Sequence, residues 1–190
     1  MRNCATFSAM RRDTNRDKLE RFMRALGNRV LTEGTIYLTG GATAVLHEWR
    51  DTTIDVDLKA DPEPAGFFEA IAALKDELDI NVELANPDQF IPAVPGWRER
   101  SLFIAQYGRL RFFHYDPYGQ ALSKLQRGHD RDLRDVMSFV REGLIDPADL
   151  RTAFSEIEPM LIRYPAIDPA SFRAAVSEFC DTLEQRDDDR

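Results

Sequence analysis

The sequence predicts an α+β protein in which a mixed β-sheet with flanking helices is followed by a helical C-terminal region. Residues 35–59 read as a strand, a glycine pair, a short helix and a second strand. Residues 79–84 alternate polar and apolar side chains with the period of a half-buried strand. At 190 residues, one domain with a helical extension is expected. We therefore divide the chain into a core at 14–115 and a helical region, packed on it, at 116–186.

The first half of the chain alternates predicted helices and strands. In order, we expect a helix capped by Thr14 and ending near 32, a strand at 35–38, a short helix after Gly40-Gly41, a strand at 53–59, a helix at 63–78, a strand at 79–84, a loop at 86–97 and a hairpin at 101–106 and 110–114. The strands near 35–39, 53–59 and 80–84 should be neighbours in one mixed sheet.

Apolar spacing predicts which side chains face the core. On the second strand, period two sends Ile54, Val56 and Leu58 inward. On the helix at 63–78, the inward residues should be Phe67, Phe68, Ile71 and Leu74.

The second half of the chain is predicted to be helical, at about 117–127, 130–142, 147–162 and 169–185. Asp-Pro precedes three of these helices, at Asp116, Asp146 and Asp168. Aspartate caps a helix and proline fits its first turn, so the same start signal is used three times. Residues 1–13 and 187–190 should be flexible termini.

Composition narrows the class of protein. The chain has 43% hydrophobic and 31% charged residues, as expected of a soluble globular protein, and its apolar runs are too short for a bilayer. Its N-terminus lacks an apolar signal region, and two cysteines, Cys4 and Cys180, form no disulfide framework. We therefore expect a cytoplasmic protein with no membrane partner.

Charge and motif searches exclude several functions. The net charge of −8 argues against a general nucleic-acid coat, although residues 98–134 carry eight Lys or Arg against four Asp or Glu. That segment either lies beside an acidic site and holds polyanions or is a solvated helix surface. The sequence contains no phosphate-binding GxxxxGK[ST] motif, no dinucleotide-binding GxGxxG motif and no GxSxG nucleophile elbow. The three histidines lack the spacing of zinc ligands.

The candidate site begins at the glycine pair. A side chain on Gly40 or Gly41 would block a ligand from the backbone, and the following helix directs free N–H groups into the turn, which suits a phosphate. Asp55 and Asp57 are two residues apart on a strand, so their carboxylates leave the same face about 6.5 Å apart. A divalent cation would relieve their repulsion. The alternative is that they face solvent on an edge strand.

Glu83 is the candidate third carboxylate. It lies between Val82 and Leu84 on the period-two strand. Beside the aspartate strand it would complete a cluster for Mg²⁺ or Mn²⁺. The alternative is an exposed strand face.

This arrangement resembles the nucleotidyltransferase fold of the DNA polymerase β superfamily. The resemblance covers residues 35–84, and Gly40, Gly41, Asp55, Asp57 and Glu83 match it position by position. It implies three carboxylates holding two metal ions under a nucleoside triphosphate. The pattern often has Ser or Thr beside the glycines. Here the nearby hydroxyls are those of Thr39 and Thr43.

A second motif runs from Ala121 to Asp135. It is similar to a helix of the small bacterial nucleotidyltransferases of abortive-infection and toxin–antitoxin systems. The loop at 86–97, with its Pro-Gly-Trp, and the segment at 163–169 resemble a DUF6036-like branch of that group. The resemblance implies that Lys124 contacts the triphosphate and that Arg131, Asp132 and Asp135 complete the site. The alternative for the two aspartates is a surface salt-bridge ladder with Arg131 and Arg134.

Together these features predict a Mg²⁺- or Mn²⁺-dependent enzyme that moves a nucleoside monophosphate from an NTP to an acceptor hydroxyl. The acceptor is left open between RNA such as tRNA, a protein and a small molecule. The resemblance adds a toxin-like role and an antitoxin protein as a candidate partner. The alternative function is an inactive nucleotidyltransferase-fold module that binds nucleotide or a protein.

Overall fold

The protein is described by a computed structural model over residues 13–188, with side chains through residue 185. The strands are β1 Thr14–Asn15, β2 Gly34–Thr39, β3 Thr52–Thr53, β4 Asp55–Ala60, β5 Asn81–Glu83, β6 Leu102–Tyr107 and β7 Leu110–His114. The helices are α1 Arg16–Arg29, α2 Gly40–Leu46, α3 Phe67–Glu77, α4 Trp97–Arg100, α5 Pro117–Arg127, α6 Asp130–Arg141, α7 Pro147–Ile157 and α8 Pro169–Asp188. Two 3₁₀ helices, Pro87–Gln89 and Glu158–Arg163, complete the set. Apart from residues 13, 187 and 188, the termini predicted to be flexible lie outside the described residues.

The main sheet has five strands in the order β5-β4-β2-β7-β6. β2 pairs antiparallel with β4 and parallel with β7, while β4 pairs parallel with β5 and β6 pairs antiparallel with β7. The predicted mixed sheet, its three neighbouring strands and the β6–β7 hairpin are therefore confirmed. The short strands β1 and β3 form a separate antiparallel pair.

Two apolar clusters stabilise the fold. The first joins the sheet to α1 and α3 through Leu19, Phe22, Leu26, Leu38, Val56, Leu58, Phe67, Leu74 and Phe112. The second joins the C-terminal helices through Leu122, Val136, Phe139, Leu150, Phe154, Phe172 and Val176. Ile91 and Val94, from the loop after β5, belong to the second cluster, so that loop is anchored against the C-terminal helices.

Local backbone geometry moves three predicted element boundaries. Thr14 pairs with Thr53 in β1, so α1 starts later, capped by Asn15, whose side chain accepts from the Lys18 backbone N–H at 3.0 Å. α3 begins only after Gly66, which has a left-handed φ of 78°. Asp79 also has a positive φ, of 51°, and β5 starts two residues beyond it.

Two predictions of inward-facing residues were wrong. Ile54 lies between β3 and β4 and is 57% exposed, because the predicted continuous strand is interrupted there. Phe68 is 52% exposed, because α3 turns its neighbour Phe67 into the core instead. Val56 and Leu58 are fully buried, as predicted.

The Asp-Pro helix starts are confirmed. Asp116 accepts hydrogen bonds from the N–H groups of the next turn of α5, and Asp146 does the same for α7. Asp168 accepts from the Ser171 N–H at 2.9 Å at the start of α8. Within the described range, none of these helices combines the length and apolar character needed to cross a membrane.

Candidate active site

A cavity of about 260 Å³ lies where β2, β4 and β5 meet α5 and the loop after β5. Asp55, Asp57 and Glu83 line its sheet side. Lys124 and Arg127, from α5, line the facing side. The cavity therefore has a carboxylate wall opposite a cationic wall.

Strand register places the three carboxylates on one side of the sheet. Asp57 pairs with Thr39 on β2 and with Glu83 on β5. Residues directly opposite in a sheet share a face, and so do residues two apart along a strand. Asp55, two residues before Asp57, therefore shares that face with Glu83.

Asp57 is the most deeply placed of the three carboxylates. Burial, followed by the charges of Glu83 and Asp55, raises its pKa to about 6. Arg127 and Lys124 act in the opposite direction and are outweighed. Asp57 therefore ionises near neutral pH, in a site that favours a neutralising cation.

The carboxylates are already hydrogen-bonded in this structure. The Asn81 side-chain amide donates to Asp55 Oδ1 at 2.5 Å and to Glu83 Oε1 at 3.2 Å. Asp57 is turned towards Gly40, where an added Cβ would come within 2.6 Å of Asp57 Oδ2. Within residues 13–188, no group of three or more His, Cys, Asp or Glu side chains stands ready to hold a metal ion.

The glycine pair is held by α5 and by β3. The Gly40 backbone N–H donates to Gln120 Oε1 at 3.1 Å, and Thr39 Oγ1 donates to the same oxygen at 3.2 Å. Gly41 packs on Thr53, whose Oγ1 would lie 2.0 Å from an added Cβ. Glycine at 40 is also required by its φ of 59°. The predicted phosphate cradle is thus partly occupied by a glutamine side chain.

The other predicted nucleotide-binding residues are divided between the cavity and its surroundings. Thr39 and Gly40 line the cavity, whereas Gly41 and Thr43 do not. Thr43 is buried and donates to the Leu38 carbonyl at 3.2 Å. Arg131 is exposed on α6 and lines a different cavity.

Lys124 and the two aspartates of α6 form a buried charge network. Lys124 Nζ lies 2.6 Å from Asp135 Oδ2 and 3.3 Å from Asp132 Oδ1. Arg127 also binds Asp132, at 3.0 Å, and Arg50 binds Asp135 at 2.5 Å. Burial alone would raise the pKa of Asp132, but Lys124 and Arg127 outweigh it and lower the pKa. The alternative of a surface ladder is wrong, because both aspartates are buried and turn away from Arg131 and Arg134.

The sequence matches the family described as "Nucleotidyltransferase of unknown function (DUF6036)" over residues 17–186. The chain belongs to this family. The match runs from α1 into α8, so it includes both walls of the cavity. Comparisons with curated proteins and with solved structures found no match. The family resemblance inferred from the sequence is confirmed, and the α+β nucleotidyltransferase-like fold with it.

Several cavity residues of this DUF6036 protein escaped sequence reasoning. Asn81, Gln120, Ser123 and Arg127 contact the carboxylates or line the cavity. Three of these lie on α5 with Lys124: Ser123, Lys124 and Arg127 follow Gln120 by three, four and seven residues, so the four share one helix face. Helical spacing around Lys124 would therefore have found them. Phe90, from the loop, had no such signal.

Proposed function

We propose that this protein is a metal-dependent nucleotidyltransferase that moves a nucleoside monophosphate from an NTP to an acceptor hydroxyl. One observation carries the proposal. Asp55, Asp57 and Glu83 share a cavity with Lys124 and Arg127, in a chain of the nucleotidyltransferase family. Carboxylates suit divalent cations, and the facing cations suit a triphosphate.

The donor set fits Mg²⁺ or Mn²⁺ in kind. Its ligands would be the oxygens of Asp55, Asp57 and Glu83, which such hard cations prefer. Burial, and after it the charges of Glu83 and Asp55, raise the pKa of Asp57, and a bound cation would offset both effects. The hydrogen bonds from Asn81 to Asp55 and Glu83 would have to yield. When bound, the ion would neutralise charge on the triphosphate and on the departing pyrophosphate.

The protein's own residues divide the remaining tasks. Lys124 and Arg127 face the cavity and would bind the outer phosphates, where their charge counts most as pyrophosphate leaves. Phe90 is 44% exposed on the cavity wall and offers its ring to the nucleobase. The hydroxyls of Ser123 and Thr39 add hydrogen-bonding groups to the lining.

The reaction requires one proton acceptor. The acceptor oxygen forms a bond to the α-phosphorus, the bond to the pyrophosphate oxygen breaks, and the hydroxyl proton passes to a carboxylate. Asp55, Asp57 and Glu83 line the cavity, and one of them would take this proton while the others hold the ion.

The test is covalent transfer of label from each α-labelled NTP, with Mg²⁺, to pools of cellular RNA, protein and small molecules. Wild type should transfer label, chelation of the metal should abolish transfer, and Asp57→Asn should reduce it at least about 100-fold. Asp51→Asn is the matched control, since Asp51 is exposed and lines no part of this cavity. Equal transfer by wild type and Asp57→Asn would contradict the proposal.

A second candidate function is an inactive module that binds nucleotide or a protein. It is favoured because groups needed for catalysis already have partners within the protein. Lys124 is bound by Asp132 and Asp135, and Asn81 binds Asp55 and Glu83. Tight NTP binding by calorimetry, with no transfer to any pool, would support this function over the enzyme. The toxin-like role and an antitoxin partner, which the resemblance implies, stay part of the first proposal.

A further inference from the structure

A second cavity, of about 560 Å³, lies on the outer face of α6. Its charged lining is dominated by four arginines: Arg50, Arg131, Arg134 and Arg141. One carboxylate, Asp135, belongs to the same lining. This excess of positive charge contrasts with the net charge of −8 of the whole chain. We call this cavity the arginine cavity.

Three of its arginines are free to bind an external anion. Arg131, Arg134 and Arg141 are exposed, and among the described residues none of them has a carboxylate within salt-bridge distance. They recur three and seven residues apart along α6, so they follow one face for about 15 Å at the rise of an α-helix. Of the acids beside them, Asp132 and Asp135 turn inward to other partners, Glu142 accepts from Trp49, and Asp130 is exposed at the start of α6.

The fourth arginine connects this cavity to the candidate active site. Arg50 binds Asp135 at 2.5 Å, and the same carboxylate binds Lys124 at 2.6 Å. Lys124 lines the first cavity and Asp135 the second. The two cavities therefore lie on opposite sides of one buried ion-pair chain.

A rigid aromatic wall borders the arginines. Trp49 lines the cavity and stacks on His47 at 4.7 Å, with an edge contact to Phe139 at 4.8 Å. Its indole N–H donates to Glu142 at 2.6 Å. These contacts hold the tryptophan ring in place, so this wall of the cavity is formed without a ligand.

We propose that the arginine cavity binds the phosphate backbone of single-stranded RNA and holds it as the acceptor of the transfer reaction. The proposal rests on the proposed function for the choice of acceptor, but not for binding itself. Arginine forks match phosphate geometry, and a row of about 15 Å is long enough for more than one phosphate of a strand. The arginine cavity is linked to the candidate active site through Asp135, which lines this cavity and binds Lys124 of the other.

The first experiment measures RNA binding without NTP or metal. Fluorescence anisotropy with a labelled 20-nucleotide single-stranded RNA should show affinity that falls with salt. The triple variant Arg131→Ala/Arg134→Ala/Arg141→Ala should bind at least about 10-fold more weakly, and the slope of log affinity against log salt should shrink by about 2. The three side chains are exposed, and among the described residues the triple variant removes no ion pair and one hydrogen bond, from Arg141 to Ser138, so the fold should be retained.

The matched control removes the same charge elsewhere, with Arg21→Ala/Arg24→Ala/Arg163→Ala, three exposed arginines outside the cavity. It should bind RNA within about 3-fold of wild type. Equal weakening of RNA binding in both triple variants would show an effect of overall charge and would overturn the proposal. A cavity variant that binds RNA as tightly as wild type would overturn it as well. Poly-glutamate that competes as well as RNA at equal charge would assign the surface to an acidic protein instead.

A second readout separates this proposal from the proposed function. If RNA is the acceptor, the cavity triple variant should raise KM for RNA at least about 10-fold with kcat little changed. The reason is that the lost contacts bind the RNA equally in the ground state and in the transition state. Transfer to protein or small molecules with no RNA binding would overturn the inference and leave the transferase standing. RNA binding that the cavity triple variant weakens, with no transfer to any pool, would overturn the transferase and the acceptor role and leave the RNA-binding site standing.

Discussion

Among single residues, Lys124 is the one whose surroundings were predicted least well from the sequence. The family resemblance implies only that Lys124 contacts the triphosphate. The structure shows it 4% exposed and held between Asp132 and Asp135. Removing this buried lysine takes one cationic partner from each of the two carboxylates, and each keeps one arginine.

Lys124→Met should therefore reduce both transfer and stability. We expect the free energy of unfolding to fall by about 3 kcal/mol, at the low end for a broken buried pair, because Arg127 and Arg50 still bind the two aspartates. Urea unfolding and the label-transfer rate measure the two effects. Adding Asp135→Asn should restore part of the stability but none of the transfer. A Lys124→Met protein within about 0.5 kcal/mol of wild type would contradict the network.

At the scale of elements, the contact of α2 with β3 sets the position of the aspartate strand. Gly41, in the first turn of α2, lies against Thr53 of β3. Thr53 Oγ1 donates in turn to the Asp55 carbonyl at 3.0 Å, where β4 begins. A change at this contact is therefore transmitted to the first carboxylate of the site.

Gly41→Ala should destabilise the fold by steric conflict, since the added Cβ would lie 2.0 Å from Thr53 Oγ1. Overpacking of this kind costs about 1–3 kcal/mol. The double variant Gly41→Ala/Thr53→Ala should recover most of the loss relative to Thr53→Ala alone, because the conflicting hydroxyl is gone. Thermal unfolding of the four proteins forms the cycle. An equal effect of Gly41→Ala in both backgrounds would show that the conflict lies elsewhere.

At the scale of the whole molecule, a row of aromatic rings joins the sheet to the C-terminal helices. His114 ends β7 and lies 4.4 Å from His47, which stacks on Trp49, and Trp49 contacts Phe139 of α6. Burial lowers the pKa of His114 to about 3, with a smaller contribution from His47. Burial likewise lowers the pKa of His47, against the opposing charge of Glu142.

This junction should make the fold acid-sensitive. His114 ionises near 6.5 when unfolded and near 3 when folded, so its contribution to stability is present above pH 6.5 and is lost as pH falls towards 3. Between pH 7 and pH 5 the free energy of unfolding should drop by about 2 kcal/mol on its account. His114→Gln should remove that part of the drop in urea unfolding. An unchanged pH dependence in the variant would contradict the junction's role.

Local pattern was enough to predict much of the fold and the sheet side of the site. Strand alternation places Asp55 and Asp57 on one face and Val56 on the other, whatever surrounds them, because successive side chains alternate along any strand. The Asp-Pro helix starts were predictable because capping is local as well. The exposure of Ile54 and Phe68 was not predictable, because the break in one strand and the late start of one helix depend on neighbouring backbone.

Local sequence pattern fixes that Asp55 and Asp57 share one strand face and that helices follow, because both depend on short-range geometry. Long-range packing brings Glu83 to that face, through the pairing of β4 with β5, and sets what lies across from the carboxylates. α5 and α6 pack so that Lys124 meets Asp132 and Asp135, whereas Arg131 turns outward to the arginine cavity. Helical periodicity says which residues share a face but not which partner that face meets. That choice is made by burial of the apolar clusters across the whole chain.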